Sequence, residues 1–301
     1  MKLVAFERDG QRGVGVWEEE NRVRPYRLDE GAANVGVLAV LEAHLAGRPF
    51  PLADLALSVQ GLRLTAPFPR PRRNIFCVGK NYHEHAHEFA RSGFDSSAAA
   101  GAVPDAPIIF SKVPDCVTGP SDPILIDARV SPAVDYEAEL CVVIGRGGRA
   151  IARADAMAHV WGYTIVNDVT ARDLQGRHKQ WLIGKSQDSF CPMGPCAVTV
   201  EEIDLSDTAV RCWVNGELRQ DANTRDLIFD VPTLIETLSA GITLLPGDLI
   251  ATGTPAGVGI GFNPPRYLKP GDRVTVEIGG IGRLENRVEE MVGARRKESA
   301  A

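Results

Sequence analysis

The sequence predicts an α+β fold that is mainly β, built as a mixed and mostly antiparallel sandwich or barrel behind a small N-terminal domain. The chain has 301 residues, of which 44% are apolar and 24% charged, so it can bury a substantial core. Its apolar runs are short and are separated by Gly and Pro, as strands are. These runs do not alternate with longer helical patterns, which disfavours a parallel doubly wound sheet.

The first 66 residues predict the small N-terminal domain. Residues 1–17 have the pattern of a hairpin of two short strands, and residues 35–45 predict a helix that ends at Gly47. A segment rich in proline and arginine then interrupts regular structure, and its residues are Pro67, Pro69, Arg70, Pro71, Arg72 and Arg73.

Residues 67–292 predict a second, larger domain. Its strand-like runs are 74–78, 107–110, 124–126, 136–144, 158–166, 209–214, 248–251 and 273–278. Residues 92–106 lack apolar anchors and predict either a lid over a pocket or a solvated insertion. Residues 293–301 predict a flexible tail.

Charge and cysteine content argue against several classes of protein. A net charge of −6 disfavours nucleic-acid binding, which needs a basic surface. Six cysteines without a CxxC pair favour buried, reduced thiols over disulfides or a zinc site. The charged N-terminus is unlike a signal peptide, and no apolar run has the length of a membrane span. We therefore expect a cytoplasmic protein that does not associate with membranes.

The segment 134–144, VDYEAELCVVI, places Asp135, Glu137 and Glu139 at alternate positions of an apolar run. In a β-strand these three carboxylates would share one face. Two interpretations stay open. The pattern alone favours a solvated strand face, whereas a cation site would explain why like charges lie so close together.

Asp168 follows a second apolar strand, within GYTIVNDVTARDLQ at 162–175. Side chains at strand ends often face a pocket. With Glu137 and Glu139 it would form an all-oxygen cluster, which Mg²⁺, Mn²⁺ or Ca²⁺ prefers and Zn²⁺ does not. A helix N-cap is an equally good interpretation of Asp168 alone.

The segment CVGKNYHEHAHE at 77–88 contains a literal HExxH, in which His83 and His87 would bind zinc. The predicted helix is short and no third ligand is evident downstream, so we disfavour a zinc peptidase. His85 and Glu88 are three residues apart and would share a helix face, as a base and its orienting carboxylate. A solvated helix face is the alternative.

Two glycine-rich segments lack a nucleotide-binding pattern. GKS at 184–186 ends like a P-loop, but Lys179 stands where that pattern requires glycine. GTPAGVGIG at 253–261 lacks GxGxxG and the surrounding βαβ unit. We interpret both as loops that bring backbone amides, Lys185 and Thr254 close to an anion.

Together these segments resemble the fumarylacetoacetate hydrolase superfamily, whose motifs occur in the same order. The matching segments are GKNYHEHAHE (79–88), DYEAELCVVIG (135–145), GYTIVNDVTARDLQ (162–175), GKSQDSFCPMGP (184–195), GDLIATGTPAGVG (247–259) and LKPGDRVTVEIGGIGRLENRV (268–288). The first 66 residues resemble the small variable domain that precedes the catalytic one in many members. The resemblance implies a mixed β-sandwich roll, assembled as a homodimer.

The resemblance also implies a role for each candidate site residue. The ligands of Mg²⁺ or Mn²⁺ would be Glu137, Glu139 and Asp168, with water and substrate oxygens completing the octahedron. His85 and Glu88 would lie on a lid that orders over the substrate, as in hydrolytic and decarboxylating members. The residues that would contact the substrate's carboxylate and oxo groups are Arg172, Gln175, Lys185 and Thr254. Asp135 would border the site without binding the metal.

We therefore expect a divalent-metal-dependent hydrolase that cleaves a carbon–carbon bond in an acylpyruvate or fumarylpyruvate-type dioxo acid, as in aromatic catabolism. The reaction would pass through a metal-bound enolate, which Lys185 helps to stabilise. His85, oriented by Glu88, would deprotonate the attacking water, a step that a pure isomerase does not need. Three alternatives stay open at the same site: oxaloacetate decarboxylation, isomerisation of 2-hydroxyhepta-2,4-diene-1,7-dioate, and non-catalytic binding of metal and carboxylate.

Overall fold

The structure, a computed structural model, describes residues 1–19, 21–91 and 103–291. It consists of mixed sheets with few helices, which confirms the prediction of a mainly β, α+β protein. Within these ranges the sheets are open and do not close into a barrel. Most of the predicted lid, and the predicted tail at 293–301, lie outside the described residues.

The strands and helices are numbered in chain order. The strands are β1 (Lys2–Arg8), β2 (Gln11–Glu18), β3 (Arg22–Pro25), β4 (Leu57–Ser58), β5 (Arg63–Thr65), β6 (Ile75–Gly79), β7 (Ile108–Lys112), β8 (Val117–Thr118), β9 (Ile124–Ile126), β10 (Val134–Asp135), β11 (Ala138–Ile144), β12 (Val160–Asn167), β13 (Thr170–Ala171), β14 (Cys191–Thr199), β15 (Ala209–Val214), β16 (Glu217–Asn223), β17 (Leu249–Ala251), β18 (Arg273–Ile278) and β19 (Gly282–Glu290). The α-helices are α1 (Glu30–Val35), α2 (Val37–Leu45), α3 (His83–Arg91), α4 (Arg172–His178), α5 (Leu182–Lys185) and α6 (Val231–Ser239).

The larger sheet runs in the order β4-β3-β2-β1-β14-β12-β11-β17-β6-β7, with β5 beside β1 and β8 beside β14. Its pairs are antiparallel except β17 with β6 and β14 with β8, which are parallel. The predicted N-terminal hairpin corresponds to β1 and β2. Strand β1 continues the sheet by pairing with β14, where Leu3 lies opposite Ala197. The N-terminal segment therefore contributes strands to the sheet that carries the candidate site.

A five-stranded sheet, in the order β16-β15-β18-β19-β9, packs against β11 and β12 of the larger sheet. Val142 and Tyr163 of the larger sheet share one buried core with Val210 and Val276 of the smaller one. Alternate residues of β15 and β18 face this core, and those between them are partly exposed. This alternation is typical of a sheet with one solvated face.

Two predictions about composition can be compared with the fold. All six cysteines are buried and form no disulfide, as predicted. No helix among the described residues combines the length and the apolar character that crossing a membrane requires.

Candidate active site

Three carboxylates meet where strands of the larger sheet begin and end. Glu137 lies in the break between β10 and β11, Glu139 is the second residue of β11, and Asp168 follows the last residue of β12. The antiparallel register of β11 and β12 places Glu139 opposite Val166, and the Asp168 amide donates to the Glu137 carbonyl at 2.8 Å. As a result, one oxygen from each of the three carboxylates lies within 4.8 Å of the other two.

This cluster has the donor set of a site for a hard divalent cation. Glu137, Glu139 and Asp168 are 3%, 1% and 0% exposed. Their ligand atoms are all oxygens, which suit Mg²⁺ or Mn²⁺. A solvated strand face is therefore the wrong interpretation of the acidic segment, because both glutamates are buried. Nor does Asp168 cap a helix, since α4 begins four residues later with Ala171 as its N-cap.

Two lysines supply part of the compensating charge. Lys185 Nζ lies 2.6 Å from Glu137 Oε2 and 2.6 Å from Asp168 Oδ2. Lys112 Nζ lies 2.7 Å from the other oxygen of Asp168 and also donates to two backbone carbonyls. Burial works against the charged form of Lys112, but the carboxylate of Asp168 leaves its pKa raised. Among the ion pairs of the described residues, none reaches Glu139.

The two glutamates therefore differ in their electrostatic environment. Burial alone would raise the pKa of Glu137, but Lys185 and Arg172 lower it to about 2. Burial also raises the pKa of Glu139, and there the charges of Asp168 and Glu137 add to the effect, so its pKa lies well above its usual range. No ion pair within the described ranges offsets the charge of Glu139, and a divalent cation would do so.

Helix α3 carries the predicted base and its partner. His85 Nδ1 lies 3.2 Å from Glu88 Oε2, and their side chains are 6% and 13% exposed. Glu88 also accepts the Gly257 N–H at 3.0 Å. Because a carboxylate only accepts, Nδ1 is the donor in this contact, and in the neutral imidazole Nε2 then keeps a lone pair. His83 and His87 are exposed and join no metal cluster in the described part of the chain, which agrees with setting the zinc-peptidase pattern aside.

Helix α4 begins with Arg172, whose guanidinium is held by two carboxylates. Its Nε lies 2.9 Å from Asp135 Oδ2, and its Nη2 lies 2.7 Å from Glu137 Oε1. Nη1 donates to Gln175 Oε1 at 3.2 Å. Burial disfavours the charge on Arg172, yet the two carboxylates leave its pKa raised. Asp135, which the sequence places only at the border of the site, is thus the residue that holds Arg172.

The predicted residues converge on a narrow cavity of about 20 Å³. Those that line it are His85, Glu137, Glu139, Arg172, Gln175, Lys185 and Thr254. Asp168 and Glu88 lie directly behind this wall. The other described residues that line it are Val78, Gly79, Lys80, Phe89 and Trp181. Phe89 and Trp181 pack edge to face, with ring centroids 6.2 Å apart, and give the cavity an apolar side.

Sequence reasoning missed three residues that support this site. Besides Lys112, Gln220 Nε2 donates to Thr254 Oγ1 at 2.8 Å and so fixes that hydroxyl. Asn81 Nδ2 donates to the Thr252 carbonyl at 2.7 Å and so ties the start of α3 to the end of β17. The scarcity of lysine, of which the chain has seven, and the NYxxH motif were usable signals for Lys112 and Asn81. Nothing local marks Gln220, because its side-chain partners lie 34 or more residues away.

Several known proteins are similar to this chain in sequence and in fold. The family model for the fumarylacetoacetate (FAA) hydrolase C-terminal domain matches residues 74–289. The chain is 48% identical over 238 residues to oxaloacetate tautomerase YisK of Bacillus subtilis, which covers 79% of this chain and 76% of that protein. A solved fumarylacetoacetate hydrolase from Exiguobacterium antarcticum is 42% identical, with a TM-score of 0.81, covering 96% of this chain and 99% of that one. A solved 2-hydroxyhepta-2,4-diene-1,7-dioate isomerase from Mycobacterium marinum is 33% identical, with a TM-score of 0.76, covering 97% and 100%.

Proposed function

Because this chain belongs to the fumarylacetoacetate hydrolase family, we propose that it is a divalent-metal-dependent enzyme that interconverts the keto and enol forms of oxaloacetate or a closely related 2-oxo dicarboxylate. The observation that carries the proposal is the cavity, whose wall combines clustered carboxylates, an imidazole and cationic side chains. The relative named as an oxaloacetate tautomerase directs the choice among the reactions of the family. Tautomerisation was not among the reactions expected from the sequence, which ranked hydrolysis first.

The donors around the cavity suit an anionic 2-oxo acid. The residues that would hold Mg²⁺ or Mn²⁺ are Glu137, Glu139 and Asp168. When bound, the cation would polarise the 2-oxo group and stabilise negative charge on its oxygen. Arg172 and Lys80 lie 5.8 and 5.7 Å from the centroid of the Phe89 ring, so two cations flank one side of the cavity. This positive charge favours an anionic substrate.

His85 is the group placed to move the proton. With its Nδ1 hydrogen donated to Glu88, its Nε2 would take a proton from the carbon next to the oxo group. The electron pair of that C–H bond then forms the C=C bond of the enolate. The nearby Lys185 ammonium helps to stabilise the negative charge of the enolate. The imidazolium then returns the proton to the enolate oxygen, so the substrate gains and loses no atoms.

Hydrolysis of an acylpyruvate is the second candidate. The observation that favours it is the same His85–Glu88 pair, which is arranged as a base and its orienting carboxylate and would equally activate a water molecule. The similarity to a solved fumarylacetoacetate hydrolase also supports it. The two reactions differ in product, because hydrolysis breaks a carbon–carbon bond and tautomerisation does not.

The test is an assay of purified protein with Mg²⁺ or Mn²⁺ against oxaloacetate, an acylpyruvate and fumarylpyruvate. We expect the ultraviolet absorbance of enol-oxaloacetate to relax faster than without enzyme, without release of carbon dioxide. Cleavage of the acylpyruvate instead would establish the hydrolase, and carbon dioxide release the decarboxylase. No turnover of any of these acids would contradict the proposal and favour a non-catalytic binder.

A pair of histidine variants tests the role of the base. We expect His85→Ala to lose turnover while binding of Mn²⁺, measured by calorimetry, stays as in the wild type. His83→Ala is the matched control, because it removes an exposed imidazole from the same helix. Equal activity of both variants would rule out His85 as the base.

We also propose that the chain assembles as a homodimer, on the basis of the family resemblance. Light scattering of the eluted protein measures the assembled mass directly. We expect twice the chain mass of 32.5 kDa, and a mass equal to that of one chain would contradict the proposal.

A further inference from the structure

We propose that the glycine loop, residues 257–261 (GVGIG), is the common anchor of the His85 and Arg172 side chains, and that Asp135 is the positioning residue through which it holds Arg172. The role of Arg172 in binding substrate rests on the proposed function. The anchoring contacts themselves do not, because they are contacts within the protein.

The first set of contacts runs from the loop to the base. The Gly257 N–H lies 3.0 Å from Glu88 Oε1 and 3.3 Å from Oε2. The same carboxylate faces His85 Nδ1 at 3.2 Å. A backbone N–H in a fixed loop cannot change rotamer, so it sets the position of Glu88 and, through Glu88, the orientation of the imidazole.

The second set of contacts runs from the loop to Arg172. Asp135 is fully buried and accepts four hydrogen bonds. Its Oδ1 accepts the Tyr136 and Gly259 N–H groups at 2.9 and 2.7 Å, and its Oδ2 accepts the Ile260 N–H at 3.0 Å and Arg172 Nε at 2.9 Å. Both carboxylate oxygens are therefore fixed. Because Asp135 cannot rotate, it sets the orientation of the Arg172 guanidinium.

Glycine is required for both sets of contacts. Gly257 has a φ of +99°, in the region that L side chains rarely adopt. A Cβ at Gly261 would collide with the Glu88 carboxylate, and a Cβ at Gly259 would collide with the Asp135 carboxylate. The Tyr136 hydroxyl donates to the Gly257 carbonyl at 2.9 Å and holds the loop against the strand that carries Asp135. The backbone amides of the glycine loop thus bind anions, as the sequence predicted, but these anions are the protein's own carboxylates.

The first experiment replaces Asp135 by Asn. Asparagine has the same shape as aspartate, but its amide NH₂ group would face groups that are themselves hydrogen-bond donors. The negative charge that faces Arg172 is also lost. We expect the KM for oxaloacetate to rise by about tenfold or more while kcat changes little, because an aimed charge-assisted hydrogen bond is lost and the base is untouched. The crystal structure of the variant should show Arg172 turned away from its wild-type position.

Asp248→Asn is the matched control. Asp248 is also a buried aspartate that binds an arginine, Arg73 Nε at 2.8 Å, and a backbone N–H, Leu245 at 2.7 Å. It lies at the end of β17 away from the cavity, so its loss should lower stability and leave KM unchanged. The proposal is overturned if Asp135→Asn leaves KM and the position of Arg172 unchanged, or if Asp248→Asn raises KM as much.

The second experiment acts on the other set of contacts. Gly261→Ala should displace Glu88 and lower kcat by about tenfold or more, with KM close to the wild-type value. Gly241→Ala is its control, because a Cβ there meets nothing within 4 Å. If Gly261→Ala and Gly241→Ala both lowered KM or kcat, the proposal would be contradicted.

Tyr136→Phe covers the case in which Asp135→Asn fails to fold. It removes only the hydroxyl that holds the Gly257 carbonyl, so kcat should fall and KM should rise together. Unchanged kinetics in this variant would overturn the proposal. If the wild type has no activity on any 2-oxo acid, the proposed function fails, and the crystal structures of the folded variants still decide whether the loop holds Glu88 and Arg172.

Discussion

Glu139 should destabilise the metal-free protein. It is 1% exposed, and its carboxylate is bonded to the Gly253 N–H, at 2.9 Å, but to no cation among the described residues. Replacing Glu139 by Gln keeps the shape and lets the amide oxygen accept the same N–H. The substitution therefore removes a buried charge and little else. We expect Glu139→Gln to be more stable than the wild type when metal is absent.

The size of the effect follows from the geometry of the cluster. At an effective dielectric constant of about 20, two unit charges 4.8 Å apart repel by about 3 kcal/mol. Glu139 has two such neighbours, Glu137 and Asp168, and the ammonium of Lys185 offsets about one of them. The net penalty is then about 3 kcal/mol, and we expect a gain of about 2–3 kcal/mol in the free energy of unfolding. In a chain of this length that corresponds to an increase in Tm of about 3–5 °C.

Thermal unfolding in a chelator, followed by titration of Mg²⁺ or Mn²⁺, measures both halves of the prediction. Wild-type protein should gain about 3 kcal/mol at a metal concentration one hundred times the Kd. Glu139→Gln should gain much less, because it has lost a ligand. Glu285→Gln, at an exposed carboxylate paired with Arg273, is the control and should change neither value. A metal-free variant less stable than the wild type, or one with an undiminished response to metal, would refute the reasoning.

Three further predictions concern the supporting residues. Lys112→Met should lower the free energy of unfolding by about 2–3 kcal/mol, because the buried Asp168 carboxylate loses one of its two lysine partners and keeps only Lys185. Urea titration measures this loss, and added Mg²⁺ should recover part of it. Gln220→Leu should cost about 2 kcal/mol in the same titration and raise KM, because Thr254 loses the amide that fixes its hydroxyl; an unchanged KM would contradict this. All six cysteines are buried, so a thiol reagent should modify six groups after unfolding and react only very slowly before it.

Alternation of side chains predicted correctly that Glu137 and Glu139 lie close together, but it wrongly placed Asp135 on the same face. The rule assumes a continuous strand, whereas β10 ends at Asp135 and β11 begins at Ala138. The break between them directs Asp135 to the glycine loop, away from the other two carboxylates. A break of two residues leaves no mark in an apolar run, so composition alone does not reveal it.

The fold class followed from the short strand-like runs, yet the sequence did not predict β14, which lies between β1 and β12 in the larger sheet. Its Gly194 and Pro195 are typical of turns. The ladder between β12 and β14 shifts its register between Tyr163 and Ile165, and Ile165 lies opposite Gly194. Irregular positions of this kind tolerate a residue without an N–H. This segment is a strand because it pairs with β12, about 30 residues earlier in the chain, and not because of its local sequence.

Two different parts of the fold hold the proposed reacting groups, and we expect this division to separate metal binding from substrate positioning. The carboxylate cluster is fixed by the antiparallel pair β11 and β12, whereas the base and Arg172 are fixed by the glycine loop. A displacement of that loop moves His85 and Arg172 together relative to the cluster, and errors of about 1 Å in such positions can cost about a hundredfold in rate. Changes in the loop should therefore alter kcat and KM before they alter metal affinity, and changes in β11 or β12 should do the reverse.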